Sequence, residues 1–143
     1  MNLLHVVFKV GAGDYVLPAA EVLQLEAFEG ATQVPGAPPY VSGIVQVRGR
    51  VVPVVDLRAR FSLPAAERTL DSRIILVTVE DRVVGLLVDS AREVISLPAS
   101  DLQLPPRLVA ERSEGFVRSV ARVGGRLLML VDTRKIIGEE PLS

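Results

Sequence analysis

The sequence predicts an all-β protein made of two related subdomains, each of about five short strands. Three observations carry this reading. Twenty-four residues are valine, against four phenylalanines, two tyrosines and no tryptophan, and β-branched side chains fit a pleated, half-buried surface. Apolar runs of strand length are bounded by Gly, Asp and Pro rather than extended into helical periodicity. Finally, Gly49-Arg-Val-Val-Pro-Val-Val-Asp-Leu-Arg58 is echoed by Gly125-Arg-Leu-Leu-Met-Leu-Val-Asp-Thr-Arg134, 76 residues later (125 − 49), with Gly, Arg, Val, Asp and Arg in register. That period is too long for a solenoid repeat. It divides one domain, residues 1–143, into halves of about 5–63 and 73–137.

Taken in order, His5 to Val10 is a strand, Gly11 to Asp14 a turn and Tyr15 to Leu17 the returning strand. The tripeptide Glu21-Val22-Leu23 follows. Gly36-Ala-Pro-Pro39 marks a turn or a first helical position, because proline fixes φ. Ile44 to Arg48 reads as a strand whose alternation puts Gln46 and Arg48 on the face opposite Val45 and Val47. The polar stretch Leu63 to Ser72 is the joint between the halves. The second half begins with another hairpin, Arg73 to Val79 and Arg82 to Val88 around Glu80-Asp81, followed by Glu93-Val94-Ile95. Pro105-Pro106 occupies the place of the earlier proline pair and suits a turn or a first helical position. Asp56 and Asp132 each end a strand before an Arg-containing segment, as helix N-caps do.

Composition excludes several functions. No cysteine is present, so disulfides and thiolate metal sites are ruled out and a reducing compartment, the cytoplasm, is the expectation. Sixteen basic and seventeen acidic residues nearly cancel, leaving no field for nucleic acid or anionic lipid. Arg118, Arg122, Arg126 and Arg134 alternate with or adjoin Glu111, Glu114, Asp132, Glu139 and Glu140, a mixed-charge solvated face. No apolar run is long enough to span a bilayer, so no direct membrane insertion is expected. Catalytic motifs are missing too. The one histidine, His5, reads as a surface residue at a strand edge, and Gly11-Ala12-Gly13 lacks the third glycine and the helix of a dinucleotide loop. No enzyme activity and no cofactor are expected. Taken alone, Arg48 reads as half of a surface ion pair worth about 0 to 1 kcal/mol.

The run Pro38-Pro-Tyr-Val-Ser-Gly-Ile-Val-Gln-Val-Arg-Gly-Arg-Val-Val-Pro-Val-Val-Asp-Leu-Arg58 resembles the signature of CheW-like domains. That signature is an aromatic, a Gly, an apolar pair, Asn-Leu-Arg-Gly and Val-Pro-Val-Ile-Asp-Leu-Arg. The likeness extends to Arg82-Val-Val-Gly-Leu-Leu-Val-Asp89, to Glu93-Val94 with Pro98, and to Gly125 to Asp132. It implies two five-stranded SH3-like barrels with short connecting helices and an apolar groove between the barrels. It also implies a non-enzymatic adaptor of two-component chemotaxis signalling, joining the cytoplasmic tip of a chemoreceptor to the regulatory domain of a CheA-type histidine kinase. By position, the resemblance assigns receptor-binding or adaptor roles to Val22, Gln24, Gly43, Arg48, Ile74 and Val94. Gln24 stands where an acidic residue is commoner, and Gln46-Val47 replaces Asn-Leu. Two competing readings are an adaptor of pilus- or gliding-motility signalling and a β-barrel that encloses a small apolar molecule. Five-stranded barrels are filled by their own side chains, which counts against the second.

Overall fold

The computed structural model describes residues 2–139 and 142. Ten strands form two five-stranded antiparallel-dominated sheets. In the first half lie β1 (Asn2–Val10), β2 (Gly13–Pro18), β3 (Val22–Ala27), β4 (Val41–Val47), β5 (Arg50–Asp56) and helix α1 (Leu57–Arg60). The second half holds β6 (Arg73–Val79), β7 (Arg82–Val88), β8 (Ser90–Pro98), α2 (Arg107–Arg112), β9 (Val117–Val123), β10 (Arg126–Val131) and α3 (Thr133–Ile137). Single 3-10 turns sit at Ala19–Glu21 and Ala99–Asp101.

The sheets do not follow the boundary expected at residues 63–73. Sheet A runs β8-β1-β2-β10-β9 and sheet B runs β3-β6-β7-β5-β4. Each half therefore gives its opening hairpin to the other half's sheet. The exchange is symmetric: β1 pairs antiparallel with β8 as β6 pairs with β3, and β2 pairs parallel with β10 as β7 pairs with β5. A repeat in sequence thus becomes a pseudo-twofold in space, and a division by residue number cannot see which sheet a hairpin joins.

Because of this exchange the hairpin strands are buried on both faces, which explains uninterrupted apolar runs such as Ile74-Ile-Leu-Val77. One face of each sheet meets in a shared core of Val6, Phe8, Leu17, Val55, Ile75, Val77 and Leu86. The other faces fill two small barrel interiors: Val7, Val16, Leu128 and Leu130 in A, and Val52, Val54, Ile74 and Leu76 in B. His5, expected on the surface, is 2% exposed. Its strand lies between β8 and β2 rather than at an edge, and its Nδ1 lies 3.1 Å from the Leu3 carbonyl oxygen.

Both aspartates expected to be caps are caps. Asp56 accepts from the Arg58 amide at 2.9 Å and Asp132 from the Lys135 amide at 3.2 Å. Pro106 precedes α2, whereas the Gly36 to Pro39 segment forms turns only. No helix among the described residues is long and apolar enough to cross a membrane.

Candidate functional site

Strands β3 and β8 are edge strands of B and A, and register fixes which of their residues face the shared core. Antiparallel partners lie on the same face of a sheet. Val22 pairs with Val77 and Leu25 with Ile75, both core residues, so Val22 and Leu25 face inward between the sheets. A register shift between Val22 and Gln24 reverses the alternation and brings Leu25 to this side. On the other sheet Val94 pairs with the core residue Val6, and Leu4, two residues before Val6, shares its face. These margins are not sealed. Val94 is 59% exposed, Leu4 58% and Leu25 41%, so aliphatic side chains on the core-facing side of both edge strands reach solvent. Leu4 and Leu25 were not singled out from sequence. Their signal is an exposed leucine on a core-facing register, which only the pairing reveals.

The other expected site residues gather elsewhere. Arg48 is not the last residue of a strand: β4 ends at Val47, and Arg48-Gly49 forms the two-residue turn to β5, with φ of 51° and 79°. Such a pair of positive φ values belongs to the hairpin turn whose twist matches the flanking strands. Alternation therefore does not orient Arg48, and among the described residues its guanidinium has no ion-pair or hydrogen-bond partner, so the expected surface ion pair is not found.

Ile74 is 2% exposed in the barrel B interior and is a floor residue, not a free anchor. Gln24 donates to Glu26, which pairs with Ile74 and so shares its face. Arg48, Ile74 and Glu26 line one open depression of about 860 Å³ at the mouth of barrel B, above an interior filled by Val52, Val54, Ile74 and Leu76. Gly43 stands behind its wall, with φ of 141°, where a Cβ would come 2.2 Å from the Thr32 carbonyl oxygen. The six expected residues thus divide into Val22 and Val94 on the core-facing side of the edge strands and Gln24, Gly43, Arg48 and Ile74 around barrel B.

Charged groups elsewhere hold the fold. Asp89, at the end of β7, accepts from the Gly11 amide at 2.8 Å and from Arg58 Nε and Nη2 at 2.9 and 2.7 Å, tying the β1–β2 turn to α1. Partial burial pushes its carboxyl up, but the hydrogen bonds from Arg58 and Gly11 outweigh this and hold it below the usual aspartate value. Lys9 and Arg126 likewise hold Asp14 low, the Lys9 hydrogen bond being the stronger influence. Arg126 also reaches Glu93, and Arg134 reaches Glu80, as a mixed-charge face requires; Glu140 lies outside the described residues. Among the described residues no three His, Asp or Glu side chains cluster to hold a metal ion.

The family model for the CheW-like domain matches residues 4–140, nearly the whole chain. The chain belongs to the CheW-like family. Among CheW proteins, that of Bacillus subtilis is 33% identical over 135 residues, covering 94% of this chain and 86% of the relative. The Rhizobium meliloti protein is 34% identical over 135 residues, covering 94% and 87%. The crystal structure of the scaffolding protein TtCheW from Thermoanaerobacter tengcongensis superposes with a TM-score of 0.87 at 29% identity, covering 95% of this chain and 92% of that one. Protein PilI of Pseudomonas aeruginosa is 31% identical over 101 residues, 69% of this chain and 57% of its own. The CheW-like fold accounts for both five-stranded sheets and for the core they share.

Proposed function

We propose that this chain is a cytoplasmic, non-enzymatic chemotaxis scaffold that couples the tip of a chemoreceptor to the regulatory domain of a CheA-type histidine kinase. Membership of the CheW-like family and similarity to a scaffolding protein support the scaffold role. The observation that carries the receptor half is the set of exposed aliphatic side chains on the core-facing side of the edge strands. Val22, Leu25, Val94 and Leu4 offer apolar area from both sheets to one side of a helix, which is the helix-in-groove mode of recognition.

Reconstitution of receptor, kinase and adaptor tests this. Val94→Asp and Leu25→Asp should each weaken receptor binding by about 2 kcal/mol, the size of an interface hot spot, with an unchanged melt. Unaltered receptor affinity in both folded variants would remove these side chains from the reading. Arg48 belongs to the same assay. With no internal partner its guanidinium is available to another protein, so Arg48→Ala should fold and fail in receptor control of the kinase, while Arg48→Lys restores only part, since an ammonium lacks the forked donor geometry. A pilus-pathway scaffold is the second reading, favoured by the similarity to PilI. Capture of native partners and identification of the histidine kinase by mass spectrometry separates the two.

A further inference from the structure

The internal duplication supplies a control inside one molecule. In each sheet a lone bridge carries the chain across the open seam between the edge strands: Thr32 to Ile44 in B and Gln103 to Val120 in A. Matched through strand pairing and the bulge that β3 and β8 share, Glu26 corresponds to Ile95 and Gln24 to Glu93, while next to the bridges Ala31 corresponds to Leu102. In A, Leu102 and Ile95 pack on the barrel interior, so aliphatic side chains cover the mouth. Sheet B has a methyl group and a carboxylate at these two places, and its mouth stays open as the depression of about 860 Å³.

The walls of that depression have unused bonding capacity. Ile44 exchanges both backbone hydrogen bonds with Thr32, at 2.9 and 2.8 Å. Opposite it on β5 stands Pro53, which has no N–H, so Ile44 turns its polar groups away from β5; Gln46, two residues on, has the same phase. The Gln46 N–H and C=O therefore point into the seam, and among the described residues no backbone group meets them. Glu26 and Glu29 line the same seam without a cationic partner among the described residues. Arg48 stands at the turn end, where it repels a second positive charge.

We infer that the seam of barrel B takes an extended segment of a protein partner as an added strand, its backbone paired to Gln46 and a lysine or arginine side chain laid over Ile74 toward Glu26 and Glu29. Strand addition draws affinity from main-chain hydrogen bonds and specificity from the alternate side-chain pocket. The inference goes beyond the scaffold reading and does not depend on what covers the exposed aliphatic side chains of the edge strands.

The test uses the full chain and a blocked peptide, acetyl-Thr-Val-Thr-Lys-Thr-Val-Thr-amide, with a second peptide in which glutamate replaces the lysine. At roughly millimolar concentration the lysine peptide should shift the Gln46 amide resonance and slow its hydrogen exchange, and the glutamate peptide should bind about tenfold more weakly. Glu26→Leu, which copies the closure of the other barrel, should abolish binding with an equal or higher melting temperature. Should that variant fold poorly, Glu26→Gln with Glu29→Gln removes the charge alone and should erase the preference between the peptides. A Gln46 amide that neither shifts nor gains protection, or equal binding of both peptides to the unaltered protein, overturns the inference.

Discussion

Gly43 shows how one residue can serve a site by never touching a partner. It occupies a positive φ, and a side chain would strike the Thr32 carbonyl that bridges the barrel B seam. Gly43→Ala should therefore cost about 2 kcal/mol or more, read by urea denaturation, with loss of exchange protection at the Ile44 amide. A methyl group tolerated there at no cost would mean that the bridge is loose. Arg48 is the opposite case, exposed and unpartnered, so Arg48→Ala should alter stability by less than about 0.5 kcal/mol in the same experiment. Its effect belongs in the signalling assay alone. The family signature marks both residues in the sequence, but only geometry separates the one that shapes a wall from the one that is free to reach out.

At the scale of elements, β6 and β8 separate what the sequence treats alike. Ile74 and Val94 are both aliphatic strand residues, yet Ile74 is sealed inside a barrel and Val94 is largely bare. Ile74→Ala should cost about 2 to 5 kcal/mol by leaving a cavity, whereas Val94→Ala should cost well under 1 kcal/mol. Strand existence, both caps and the repeat were legible because they rest on local chemistry: turn residues, capping carboxylates and apolar runs. Burial of His5 and the turn at Arg48-Gly49 were not legible. The first depends on which strand lies beside β1, and the second on whether the hairpin closes after Val47. The link between β7, α1 and the first turn through Asp89 was equally hidden, since Gly11 and Asp89 are 78 residues apart. Asp89→Asn should lose about 1 to 2 kcal/mol at neutral pH. Because the folded carboxyl titrates below its unfolded value, near 3.9, the stabilisation is complete above that value and is lost as pH falls through the lower folded one. The gap between the two proteins should close in that acid range and stay constant from pH 6 to 8 (roughly, given the unfolded value).

The exchange of hairpins makes a demand on the whole molecule that a chain of two consecutive barrels would not make. Sheet A needs β1 and β2 from the first half with β8, β9 and β10 from the second, and sheet B needs the reverse. The shared core likewise draws Phe8, Leu17 and Val55 from one half and Ile75, Leu86 and Val131 from the other. Cutting the chain in the exposed joint, between Ala66 and Glu67, therefore leaves neither fragment with a complete sheet or either face of that core. A β1–β2 hairpin without its neighbours is marginal in water, and three strands without a packed face fare little better. Residues 1–66 and 67–143, expressed separately, should each lack dispersed amide resonances and cooperative melting. Mixed in equal amounts they should assemble, because every missing strand is present in the partner fragment, and the complex should unfold in one concentration-dependent transition. Independent folding of either fragment, with its own sharp melt, would mean that the halves close on themselves and that the exchanged pairings are not what stabilises the molecule.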